Sequence, residues 1–226
     1  MTRAPVTPAT IVGAARTLLV RGGLESVVVR EVARSLGVSA PALYKHVDGR
    51  TDIVDRLSAV CLDELTDEVV RARDAAGDEP RAAFVAAGLA WYRWAHRHPA
   101  EFALLFATPA VPFERPTDGR GRQAGLRLGR AFLEIVVRAA DGGRLLAPPD
   151  HEVPPEVAVQ LRDWGADRGM PLGDGQLWTA VSGFHDLLGL VMVEAFGQLG
   201  FALADTDAYM RRRLARLADA LIGDPP

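Results

Sequence analysis

Lys45 is the only lysine of this 226-residue chain. It stands between Tyr44 and His46 in the stretch LGVSAPALYKHVDGR, Leu36–Arg50, while twenty-five arginines serve elsewhere. Asparagine is absent too, so much of the rarity of lysine reflects coding bias. The grouping still has a chemistry. An ammonium on a flexible stem, a phenol and an imidazole can each donate to an anionic oxygen, and lysine also suits the acceptor edge of guanine. Arg50, near the start of the next helix, adds a guanidinium where unpaired backbone N–H groups already favour a phosphate. Arg30 is placed to cross a nucleic-acid backbone or to reach a guanine. The chemistry is recognition of a polyanion rather than bond making.

Other groups are weaker candidates. His96, His98 and Glu101 suggest a metal, but helix positions two apart point in different directions, and Pro99 ends the helix. His185 and Asp186 are adjacent, do not face each other, and have no nucleophile motif beside them. We expect no catalysis, no metal and no cofactor. Cys61 is the sole cysteine, which excludes an internal disulfide and a cysteine metal cage; its apolar helical setting makes it a small core residue. The N-terminus lacks a signal-peptide core, and the greasiest run, Leu187–Val193, is cut off by Asp186 and Glu194, too short for a membrane span. The expected setting is cytoplasmic.

The elements that must position these residues all read as helices. Thr7–Arg21 carries Ile11, Ala14, Ala15, Leu18 and Leu19 on one face and stops at Gly22-Gly23. Val28–Leu36 follows, with Gly37 as a left-handed C-terminal residue. Ser39 can cap the next helix with its hydroxyl, Pro41 fits its first turn, and it ends by Val47. A long helix from Asp48 or Gly49 to about Ala76 turns Ile53, Leu57, Val60 and Leu65 inward. Helices are expected to Arg97 and from Pro99 to Ala107, then a proline-rich loop over 108–121. Further helices span about Arg122–Ala140, Glu156–Asp167, Gln176–Gln198 and Asp205–Leu221. The charge is uneven: residues 1–60 hold eight Lys/Arg against five Asp/Glu, and the remainder eighteen against twenty-four. A basic end on an acidic body suits an anionic partner at that end.

The second and third helices, joined by the tight LGVS turn, have the form of a helix-turn-helix. Leu43, Ala42 and Val47 are available for packing, while Ala40, Tyr44, Lys45 and His46 point outward. The stretch Ile11–Leu65, above all the run GVSAPALYKHV followed by Asp48, Gly49 and Arg50, resembles the DNA-binding domain of the tetracycline-repressor (TetR) family of bacterial transcription regulators. By that resemblance Arg30, Ala40, Pro41, Ala42, Tyr44, Lys45, His46 and Arg50 fall where the family touches DNA, with Ser39 beside them. Ala40 and Ala42 stand where members often carry longer polar side chains, so hydrogen-bond readout would rest on Arg30 and Lys45. The resemblance also implies that residues after about 70 form a helical ligand-binding and dimerisation domain.

The expected fold is all-α: a three-helix head, residues 1–52, joined to a larger effector-binding and dimerisation bundle, residues 53–226. The penultimate helix is apolar over more than half its circumference, with Leu177, Val181, Phe184, Leu188, Val191 and Ala195 in one stripe and Leu187, Leu190 and Val193 outside it. Such a helix is buried on two sides, as in a four-helix bundle shared by two copies. Gly183, Gly189 and Gly197 would permit close approach, and Tyr209, Leu214, Leu217 and Leu221 of the last helix suit the same homodimer interface. The cluster WYRWAHRHPAEFALLF, Trp91–Phe106, supplies Trp91, Trp94, Phe102 and Phe106; with Trp178, Phe184 and His185 these can line an apolar site for a small molecule, or simply fill a core. The expected function is a ligand-responsive regulator on a double-stranded DNA operator, in the sense of a repressor released by a small apolar or aromatic effector, with the long fourth helix as lever. The competing reading is a small-molecule-binding or interaction protein whose head no longer reads DNA.

Overall fold

The computed structural model describes residues 6–107 and 119–224; most of the loop expected over 108–121 lies outside them. The described residues form ten α-helices: α1 Pro8–Gly22, α2 Val29–Ser35, α3 Ala40–Leu43, α4 Arg50–Ala75, α5 Pro80–Arg97, α6 Pro99–Phe102, α7 Arg120–Asp141, α8 Pro155–Ala166, α9 Asp174–Ala195 and α10 Asp207–Leu221. A π-helical turn, Ala103–Ala107, continues α6. Extended pairing among the described residues is limited to one bridge between Leu145 and Ile222. The all-α expectation holds.

Local sequence explains the head. Thr7 and Thr10 cap the start of α1 reciprocally, each backbone N–H donating to the other's hydroxyl at 2.9 and 3.2 Å, which satisfies N–H groups without helical partners. Gly37 adopts φ +65° after α2, a left-handed position that a side chain would strain; the Gly37 N–H donates to Arg34 and the Val38 N–H to Ala33, so the chain turns at once toward α3. Ser39 occupies the N-cap position of α3, but its side chain makes no capping bond; its carbonyl instead accepts from Ala42 and Leu43. The expected hydroxyl cap is therefore corrected.

The chain divides into two compact units. The first comprises residues 1–65 and 97–128, the second residues 66–96 and 129–226. In the first, α1 packs on α2, α2 on α3, and α1 on α6. Its buried side chains include Ile11, Ala15, Leu19, Val32, Leu43, Val47, Ile53, Leu57, Cys61 and Phe102. Val60, expected inward, is 38% exposed: Leu57 and Cys61 already take the buried stripe, and position 60 falls to its side.

In the second unit α9 packs on α8 and on α10. Gly88 of α5 brings that helix close to α10, since a Cβ there would stand 2.8 Å from the Leu214 side chain. Gly183 of α9 does the same against Leu221, at 2.9 Å. Leu214 and Leu221 are thus buried by their own chain, correcting their assignment to an intersubunit face. A smaller cluster joins Val153, Ala158 and Leu161 to Leu177, with Trp164 and Met170 against it.

Candidate functional site

The site grows from Leu43 and Val47. Both are buried, at 0 and 3% exposure, and they pin the α3 turn to the core of the first unit. The helix proper ends at Leu43, earlier than the sequence suggests, and a hydrogen-bonded turn follows: the Tyr44 N–H donates to Ala40, and the His46 and Val47 N–H groups to Leu43. This turn throws Tyr44, Lys45 and His46 outward. All three are exposed, as are Ser39 and Pro41, while Ala40 and Ala42 are half-buried. Tyr44, 57% exposed, is a large ring with no core role.

Arg30 on α2 is solvent-facing, its side chain 87% exposed and 3.8 Å from Glu31; Glu31 is held instead by Arg34. Arg50 is placed differently from the sequence expectation. Its Nε donates to the Val27 carbonyl at 2.9 Å and one terminal nitrogen to the Leu24 carbonyl at 3.0 Å. Part of the guanidinium thus ties the start of α4 to the turn before α2, and its remaining N–H groups are what a phosphate would meet. Asp52 accepts from Arg56 and from the Asp48 N–H. Burial alone would raise its carboxyl, but those two hydrogen bonds, with the charges of Arg56 and Arg120, outweigh it and hold the group below its usual range.

An ion cluster that sequence spacing does not disclose fixes α1. Arg16 donates to Glu64 of α4 at 2.7 Å and to Glu101 of α6 at 2.8 Å. Glu101 is buried at 4% exposure, so it needs a partner. The hydrogen bond from Arg16 to Glu64, opposed by burial and aided by Glu101, raises the guanidinium's pKa further. His98 stands 3.8 Å from the same Glu101 oxygen. The partners are 48 and 85 residues from Arg16; the one sequence signal is an arginine beside the apolar stripe of Ile11, Ala15 and Leu19.

The aromatic candidates fall in both units. In the second unit Trp91 and Trp94 are fully buried, and Trp91 packs on Phe132 and Phe184 with ring centroids 5.5 and 5.7 Å apart. Phe84 meets Phe132 edge-on. Phe132 and Phe84 belong to this cluster although nothing in their local sequence marks them. Beside it the Tyr92 hydroxyl lies 3.2 Å from Thr206, whose hydroxyl donates to the buried Glu194; His96 is 3.0 Å from the other Glu194 oxygen. Phe102 and Phe106 belong to the first unit and meet with ring centroids 4.9 Å apart, tilted by 40°. Trp178 and His185 lie exposed on α9. With Val193, about two-fifths exposed like Trp178, they mark one side of that helix whose side chains stay partly exposed. Gly189 on this face has open space beside it, whereas Gly197 takes φ +69° just past the end of α9. Among the described residues no helix is long and apolar enough to cross a membrane.

Comparison with known proteins bears on both ends of the chain. Residues 11–57 match the family model described as "Bacterial regulatory proteins, tetR family". Residues 84–217 match that of "Tetracyclin repressor-like, C-terminal domain". HTH-type transcriptional regulators of Mycobacterium tuberculosis and Mycobacterium bovis are 28% identical over 193 residues, spanning 85% of this chain and 82% of theirs. A protein of unknown function from Rhodococcus sp. RHA1 superposes with a TM-score of 0.73 at 21% identity, covering 96% of each chain. A TetR family transcription regulator from Marinobacter aquaeolei VT8 superposes with a TM-score of 0.60 at 13% identity, covering 95% of each.

Proposed function

This chain belongs to the tetR family of bacterial regulatory proteins and is a DNA-binding transcriptional regulator, and we propose that it is a ligand-released repressor that grips its operator through the α3 turn. The observation that carries this reading is the contrast within five residues: Leu43 and Val47 are sunk in the core while Tyr44, Lys45 and His46 stand in solvent. A short helix held from behind and polar in front suits entry into a major groove. In this reading Lys45 and Arg30 reach guanine edges or phosphates; Ser39, Tyr44, His46 and the free N–H groups of Arg50 take phosphates; and Ala40, Pro41 and Ala42 pack on thymine methyls and sugars.

The working molecule in this reading is a homodimer. The partly exposed side of α9, with Trp178, His185 and Val193, meets its copy about a two-fold axis, joined by Tyr209 and Leu217 of α10, which are half-buried in the single chain. Such an interface is self-complementary. A small apolar or aromatic effector is proposed to work its way against the Trp91, Trp94 and Phe184 rings and favour a body conformation in which the two heads no longer match successive grooves. DNA affinity then falls by the effector's preference between the two states. α4, unbroken from Arg50 to Ala75, is the proposed lever.

The test is fluorescence anisotropy with the full chain and a labelled random-sequence duplex across a salt series. A steep fall of log affinity with log salt supports phosphate-driven binding; a flat dependence refutes it.

A further inference from the structure

α7 begins against the second turn of α4. The Asp55 carboxylate accepts from the backbone N–H groups of Arg120 and Gly121, at 2.9 and 3.0 Å. Gly121 is buried, and a Cβ there would come within 3.0 Å of the same carboxylate and 3.4 Å of Ser58. The start of α7 is therefore seated directly on α4. Asp55 lies five residues beyond Arg50, about one and a half turns or about 7.5 Å along the helix axis.

Two guanidiniums project from this junction. Arg120 and Arg122 are both exposed, and neither side chain has a hydrogen bond or ion pair among the described residues. The nearby α4 carboxylates are already engaged: Asp52 by Arg56 and the Asp48 N–H, Asp55 by the α7 backbone, Asp63 by Arg127. Arg120 lies near enough to Asp52 to help hold that carboxyl down. The same compact unit thus carries unpaired cationic prongs on α7 a short way along α4 from the Tyr44–Arg50 segment.

We propose that Arg120 and Arg122 are phosphate contacts, extending the DNA footprint of each subunit from the helix-turn-helix onto the flanking duplex. Duplex DNA carries one negative charge per about 1.7 Å of axis, so a duplex running past α3 presents phosphates to cations beside it. A guanidinium fork matches phosphate geometry in two parallel hydrogen bonds. The proposal rests on the reading that α3 meets DNA, and the test separates the two.

The experiment measures binding of the full chain to a labelled 40-base-pair random-sequence duplex by anisotropy, over a salt series, for wild type, Lys45→Ala, Arg120→Ala/Arg122→Ala and Arg216→Ala. The last removes one exposed arginine of α10, in the second unit, and controls for the loss of a positive charge as such. The α7 double variant is expected to bind about tenfold more weakly at low salt, with the salt slope lowered by about one for each phosphate left without its arginine. Its thermal midpoint and the binding of Arg216→Ala should equal wild type. If Lys45→Ala weakens binding while the α7 variant matches wild type, or loses affinity with an unaltered slope, the α7 interaction is refuted and the α3 reading stands. If Lys45→Ala and the α7 variant both match wild type, the α3 reading falls and the extension falls with it.

Discussion

In the first unit Tyr44, Lys45 and His46 stand in solvent, held only by their backbone, whereas in the second Trp91 is fully buried with Phe132 and Phe184 around it. The two regions obey opposite rules. Exposed side chains on a short turn cost the fold almost nothing to change and are free to meet a partner. Buried rings hold the fold, and any role in binding a ligand is superimposed on a packing role. Mutation of the first region should change function with stability intact; mutation of the second should change stability first.

The largest effect expected from this contrast is Trp91→Ala. Removing a fully buried indole from a ring cluster costs about 3–5 kcal/mol, read as a lowered urea midpoint; a loss under about 1 kcal/mol would mean the cluster is loosely packed and the contrast overstated. Next is Arg16→Ala, which leaves Glu101 buried without its guanidinium. With Arg16 partly exposed and His98 nearby, about 2 kcal/mol is expected, mostly restored when Glu101→Gln is added. Lys45→Ala should leave the urea midpoint within about 0.5 kcal/mol and weaken DNA binding about five- to tenfold. A shifted midpoint with unchanged binding would invert the comparison.

Two smaller effects sharpen it. Burial pushes the Cys61 thiol up to about 12, so a thiol reagent at neutral pH should label unfolded chain and spare native chain. Asp52 has a folded pKa below its unfolded value, near 3.8. Its stabilisation is therefore present above that value and lost as pH falls through the folded pKa. Asp52→Asn should cost under about 1 kcal/mol at neutral pH, and the difference from wild type should close as the pH is taken below about 4.

Legibility in the sequence followed the range of the interactions. The α2–α3 turn was readable because Gly37, Ser39, Pro41 and the apolar pair Leu43 and Val47 lie within eleven residues, and their spacing alone sets which side chains turn outward. Every helix of the body was visible from its apolar period and its proline or glycine boundaries. Some failures were local: the Ser39 hydroxyl does not cap α3, whose helix stops at Leu43, and Val60 lies beside the buried stripe. The others were long-range. Leu214 and Leu221 fit an intersubunit face by periodicity, but Gly88 and Gly183 let α5 and α9 come close enough to bury them within the chain. Arg16 found partners 48 and 85 residues away. Arg50 looked like a free phosphate ligand because nothing local shows that the Leu24 and Val27 carbonyls lie in its reach. Composition marks the aromatic candidates but not their surroundings: Trp91 sits in a ring cluster with Phe132 and Phe184, Phe102 meets Phe106, and Trp178 lies exposed on α9.

The most direct test of the central claim is selection of bound duplexes from a random-sequence pool by the purified full chain, run beside Lys45→Ala. The account predicts enrichment of an inverted repeat whose half-site centres lie about one helical turn or a multiple of it apart, and its weakening in the variant. A pool that stays random through successive rounds, with the chain running as a single subunit on sizing, would contradict it.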